Sequence, residues 1–124
     1  MLAAVLIDLA SVLQETNRLA EAEPLYRRAV TIDEASLGPD HPKVAIDLNN
    51  LAGLLGATNR LAEAEPLMQR MAVIFFKFQR DTGHKHPYAD ADHHNYEVLL
   101  SELGHDEAAI RATIEAARNE AGLD

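Results

Sequence analysis

Leu9, Ala10 and Leu13 stand at i, i+1 and i+4, and Leu51, Ala52 and Leu55 repeat the arrangement 42 positions later. That spacing gathers apolar side chains on one face of an α-helix. After each such face comes a polar break at Asn17 or Asn59, where the pattern asks for a turn or an N-cap, and a second helix opens near Arg18 or Arg60. Each unit therefore reads as helix, short turn, helix. The repetition is literal over the run from Thr16 to Leu25, which recurs unchanged from Thr58 to Leu67. Residues 9–32 and 51–74 agree at 15 of 24 positions, so a whole supersecondary unit has been copied. Units of this kind bury their apolar faces by stacking on one another.

A longer connection, Leu37-Gly38-Pro39-Asp40-His41-Pro42, separates the two units. Gly38 suits the end of one helix, and Pro42 the first turn of the next, where its missing N–H costs nothing. Thr82-Gly83-His84-Lys85-His86-Pro87 repeats the signal at an offset of 45, which aligns Asn50 with Asn95, Leu54 with Leu99 and Ala64 with Ala109. A diverged third unit follows. The pattern predicts six helices, near 2–15, 18–36, 43–57, 60–81, 88–103 and 105–121. They form one domain over 1–124, with repeats of about 1–41, 42–86 and 87–124. Pro24 and Pro66 fall inside the second helices, where proline removes a hydrogen bond and is expected to bend the axis.

Leu9-Ala10, Leu13, Asn17, Ala22, Tyr26 and Ala29, matched by Leu51-Ala52, Leu55, Asn59, Ala64, Met68 and Met71, resemble the tetratricopeptide repeat. The 42-residue spacing and the Leu37–Pro42 linker are similar to the kinesin-light-chain type. In the third unit Tyr96-Glu97 replaces the Leu-Ala pair. The resemblance implies an all-α solenoid of three helical hairpins, a right-handed superhelix whose first helices line a concave groove. It further implies a non-catalytic scaffold that holds a partner's peptide segment there.

Carried over position by position, the groove would be lined by Ile7, Asp8, Ser11, Gln14 and Glu15 from the first helix. The third helix would add Asn49, Asn50, Gly53, Gly56 and Ala57, and the fifth His94, Asn95, Val98, Ser101 and Glu102. Asn50 and Asn95 can pair with a peptide backbone without reading its sequence, or make only water and local contacts. Gly53 and Gly56 each cost a helix roughly 1 kcal/mol relative to Ala, for the sake of close approach by a ligand or tight packing between helices. Asp8, Glu15 and Glu102 favour a peptide bearing Lys or Arg. The family's clamp for a C-terminal carboxylate needs Lys and Arg at these places, and none is present.

Composition narrows the partners. Twenty acids against 11 bases give a net charge of −9, which opposes nucleic acid and acidic membrane surfaces. There is no cysteine, which removes disulfides, thiolate metal sites and a Cys nucleophile and fits a cytoplasmic chain. The apolar start from Met1 lacks a basic segment before it and carries Asp8, so it reads as helix instead of signal peptide. No nucleophile elbow or phosphate loop is present and no cofactor is implied. Glu21, Glu23, Glu63 and Glu65 read as solvated helix charges, and no enzyme activity is expected.

Two features depart from the repeat. Phe75, Phe76 and Phe78 replace Asp33, Glu34 and Ser36, which read as solvent-facing. They are expected either to form an association patch or to lie under the following connection. Leu2, Val5, Leu6, Ile7, Leu9, Val12 and Leu13 cover most of the first helix, more apolar surface than one neighbour hides. Together these suggest an alternative function as a self-association module, a homodimer or part of a longer array. Finally, His84, His86, His93 and His94 lie close together with Asp90 and Asp92, a weak candidate Zn²⁺ or Ni²⁺ set whose spacing matches no strong motif.

Overall fold

The computed structural model describes residues 2–123, and these form six α-helices without a strand. They are α1 (Leu2–Glu15), α2 (Leu19–Leu37), α3 (Pro42–Ala57), α4 (Leu61–Thr82), α5 (Ala89–Glu102) and α6 (Glu107–Glu120). Every helix boundary lies within two residues of its expected place. The outer repeat bounds, positions 1 and 124, fall outside the described residues.

The turn within each hairpin is made the same way three times. Asn17 and Asn59 hold left-handed backbone at φ 61° and 60°, and Gly104 takes the corresponding place at 97°. The next amide then reaches back five residues: Arg18 to the Leu13 carbonyl at 2.7 Å, Arg60 to Leu55 at 2.8 Å and His105 to Leu100 at 3.0 Å. This ties off the last carbonyls of the first helix, and asparagine tolerates the left-handed region better than most residues. The asparagines are thus turn residues and not N-caps.

Between hairpins, Gly38 and Gly83 close α2 and α4 with positive φ. His41 Nδ1 accepts the Lys43 amide at 3.0 Å, and His86 Nδ1 accepts the Tyr88 amide at 3.1 Å in the equivalent place. Both α2 and α4 run unbroken through their internal prolines.

The hairpins α1–α2 and α3–α4 close on themselves, α2 lies against α3, and α4 lies against α5. The third hairpin differs, because α6 leans on α4 and meets α5 only lightly. Ala52 is buried at the position that Glu97 takes in α5, and Glu97 is exposed, since a carboxylate cannot occupy so dry a seat. Arg80 Nη1 donates to the Ala121 carbonyl at 2.7 Å and Gln69 Nε2 to Glu120 at 2.9 Å, which fastens the end of α6 to α4.

The phenylalanines do not form a surface patch. Phe75 and Phe76 are buried and Phe78 is half-buried. Phe75 meets His86 at 5.1 Å between ring centroids, Phe76 stacks on His93 at 4.6 Å, and Phe78 meets His84 and His86 edge-on. The side chain of Arg118 on α6 lies over Phe76. Leu6 is buried as well, packed with Ala3 and Ala29, so of the proposed association residues Leu2 alone stands largely exposed. The comparison with the first repeat misled because Asp33, the counterpart of Phe75, is itself 4% exposed.

The duplicated acids are likewise more than solvated charges. Glu21 and Glu63 pair with Arg18 and Arg60 one turn away, both at 2.6 Å. Glu23 binds Arg60 of the next hairpin as well as Arg27. In the following interface the place of Arg60 falls to His105, and Glu65 instead accepts the Tyr96 hydroxyl. Tyr96 is 0% exposed, and burial, then the Glu65 carboxylate, pushes its phenol above the usual range. Tyr96→Phe is therefore expected to cost about 1–2 kcal/mol, since a part-buried carboxylate loses its donor. Urea denaturation measures this, and an unchanged midpoint would show that the hydroxyl does not support the interface.

A buried acid pair was not anticipated. Asp47 of α3 is 0% exposed, and neither of its carboxyl oxygens has a hydrogen-bond partner among the described residues. Burial first, and then the neighbouring Asp33, pushes Asp47 up to about 8, with Lys43 opposing. Asp92, at the same register in α5, is raised to about 6 by burial alone.

Candidate functional site

α3 and α5 present one face of successive helical turns to a shared hollow of about 630 Å³. Asn49, Asn50, Gly53, Gly56 and Ala57 come from α3, and His94, Asn95, Val98 and Glu102 from α5. Apart from the adjacent pairs 49/50, 56/57 and 94/95, these recur three, four or seven residues apart, the interval that keeps side chains on one helical stripe. Tyr26 and Met68 from the second helices form part of the wall, with Ala52 and Leu99. α1 reaches the hollow only through Gln14, whose Oε1 accepts the buried Tyr26 hydroxyl at 2.9 Å.

The structure thus brings together Gln14, Asn49, Asn50, Gly53, Gly56, Ala57, His94, Asn95, Val98 and Glu102 of the expected set. Asp8, Ser11 and Glu15 lie outside the hollow, as do Ile7 and Ser101. The acidic contribution expected from α1 is therefore displaced from the hollow, and among the described residues Glu102 is the sole carboxylate on its wall. Tyr26 and Met68 went unnoticed in the sequence because they belong to second helices and read as core.

The amides are not equivalent. Asn95 Nδ2 donates to Asn49 Oδ1 at 3.2 Å across α3 and α5, which holds both side chains at the floor. Each retains unused capacity, since an amide carries two donors and an acceptor with two lone pairs. Asn50 lines the hollow and makes no side-chain hydrogen bond among the described residues.

Gly53 decides between the two reasons for glycine in a helix. A Cβ built on Gly53 would meet nothing within 4 Å, and one on Gly56 would only touch Leu61 at 4.0 Å. Neither glycine is required by the packing of neighbouring helices. Both keep the wall of the hollow low.

The histidines do not converge on a metal. His86 spends Nδ1 on the Tyr88 amide, His84 and His86 lie against Phe78, and His93 is stacked on Phe76. His94 points to the other side, into the hollow, 3.8 Å from Glu97. Among the described residues no group of three His, Asp or Glu side chains is placed to hold an ion. Burial lowers the pKa of both His86 and His93, which keeps them in the neutral form that stacks on phenylalanine.

The model of the tetratricopeptide repeat matches residues 1–71, more than half of the chain. The chain belongs to the tetratricopeptide repeat family. None of the curated proteins matches it. Tetratricopeptide repeats generally mediate protein–protein interactions, and as a family they are non-catalytic scaffolds. Among the described residues no helix is long and apolar enough to cross a membrane. In tetratricopeptide terms, the hollow lies along the first helices of the second and third hairpins, the helices that the resemblance assigns to ligand contact.

Proposed function

We propose that this tetratricopeptide chain holds an extended segment of another protein in the hollow between α3 and α5. The observation that carries the reading is Gly53. A helix-interior glycine costs roughly 1 kcal/mol against alanine, and here no neighbour needs the space. The vacancy lies beside Asn50, Asn49 and Asn95, amides suited to pairing with peptide N–H and C=O groups in any sequence. Glu102 on the wall, no Lys or Arg facing it, and a net charge of −9 favour a segment carrying Lys or Arg.

Selection of a displayed library of short random peptides on the immobilised chain tests this. Peptides enriched in Lys or Arg are expected. Gly53→Trp should weaken them by about ten-fold or more, close to 1.4 kcal/mol, because the indole fills the hollow. The same variant should keep its helical circular dichroism, since the new side chain enters open space. Enriched peptides that bind Gly53→Trp as tightly as the original chain, or no enrichment at all, would remove the hollow from consideration.

A further inference from the structure

The hollow has two unlike ends. It is lined from Asn49 to Ala57 on α3 and from His94 to Glu102 on α5, which at 1.5 Å per residue makes it about 12 Å long. Asn49, Asn50 and Asn95 stand at one end, together with His94. The other end is where both helices finish, α3 at Ala57 and α5 at Glu102. A helix carries roughly half a unit of negative charge at its C-terminus, which a base in the last turn ordinarily offsets. α4 has Arg80 there and α6 has Arg118, but α3 and α5 have none. α5 closes instead on a glutamate, which is unfavourable at that terminus. Glu102 makes no ion pair among the described residues, and no Lys or Arg lines the hollow. Two helix ends and a carboxylate thus make one end of the hollow negative, with nothing to offset them.

We propose, on the footing that the hollow takes a peptide, that it selects for one Lys or Arg side chain laid lengthwise with its charge at Glu102. Between the two ends lie Gly53, Gly56, Val98 and the buried Met68 and Leu99. A Cβ on Gly53 would meet nothing within 4 Å, so the glycines open a lane bordered by apolar side chains. Lys and Arg join a long aliphatic stem, which lies well along such a lane, to a cation at the tip. Helical side chains lean towards the N-terminus, so Glu102 reaches back over the hollow to meet that cation. Leu or Met would fill the lane and leave the carboxylate unpaired, and Asp or Glu would be repelled by it. Glu102 is the specificity-determining residue. Glu15 supplies the control, because it closes α1 at the same register with the same charge and lies outside the hollow.

Short random peptides displayed on phage are selected in parallel on the original chain, on Glu102→Gln and on Glu15→Gln. Peptides from the original chain and from Glu15→Gln should share one Lys or Arg, and those from Glu102→Gln should not. Replacing that residue by norleucine keeps an aliphatic stem and removes the charge. Calorimetry should then show binding about three- to five-fold weaker at low salt and less so at high salt, as for an exposed ion pair. Glu102→Gln with the unaltered peptide should lose as much, and the two changes together no more than either alone. Glu102 is exposed at the end of its helix, so circular dichroism of the variant should be unchanged. Peptides that fail on Gly53→Trp yet share no Lys or Arg, or bind Glu102→Gln undiminished, overturn the assignment and leave the hollow as a peptide site. An equal loss on Glu15→Gln also overturns it, since the effect would then belong to the net charge. The absence of any binding peptide removes both readings.

Discussion

Asp47→Asn is expected to stabilise the protein at alkaline pH by about 2–4 kcal/mol and to change little near pH 5. The folded chain holds the Asp47 proton up to about 8, whereas an unfolded aspartate releases it near the ordinary value of about 3.9. Between those limits the native state binds more protons than the unfolded one. Stability therefore falls as pH rises from about 4 towards 8 and levels off above, at most about 1.4 kcal/mol per pH unit for one proton. The asparagine amide cannot ionise, so it brings no charge into this dry site at any pH. Melting curves at pH 5 and pH 9 measure the difference. The original chain should melt several degrees lower at pH 9, and Asp47→Asn should recover most of that loss. A variant that melts below the original chain at both pH values would show that the carboxyl makes a favourable contact. The third hairpin supplies an internal control. Asp92 holds the equivalent place, but Phe75 stands where Asp33 would be, and its rise is the smaller, to about 6.

Phe75→Ala is expected to cost about 3–5 kcal/mol, the range for removing a fully enclosed ring from a core that cannot collapse around it. Phe75 is 1% exposed and meets both His86 and His93, so its loss opens the contact of α4 with α5 and with the preceding connection together. The melting temperature should drop by about 10 °C or more, while Phe78→Ala, half in solvent, should cost much less. Equal and small effects from the two variants would return the phenylalanines to the surface.

The contrast between these residues shows where reading the letters works and where it stops. Helix limits and turns were legible because Asn17, Asn59, Gly38 and Gly83 carry backbone requirements that are local. The α3 and α5 rows of the hollow were legible because the repeat offset carries one helix face onto the next. The α1 row was not, since Gln14 alone reaches inward and that depends on how the first hairpin tilts. Asp33 was misread because periodicity within α2 cannot show that α3 will be laid across it. Phe75 inherited the error. The meeting of Asn95 with Asn49 instead of Asn50, and the reach of Glu65 to Tyr96, depend on the offset between stacked hairpins. No single helix encodes that offset.

The uneven third hairpin has a mechanical consequence. α4 touches α3, α5 and α6, whereas α1–α2 is joined to the remainder chiefly through α2 on α3. Local opening in stacked helical arrays follows the weakest junction. The amino-terminal hairpin is thus the part expected to open first, once its ion pairs from Glu23, Glu34 and Asp40 to Arg60, Arg70 and Lys77 part. Gln14 and Tyr26 travel with it. Such opening would shift one rim of the hollow and leave the opposite rim in place, so that a tethered strand would enter sideways and need not thread from an end.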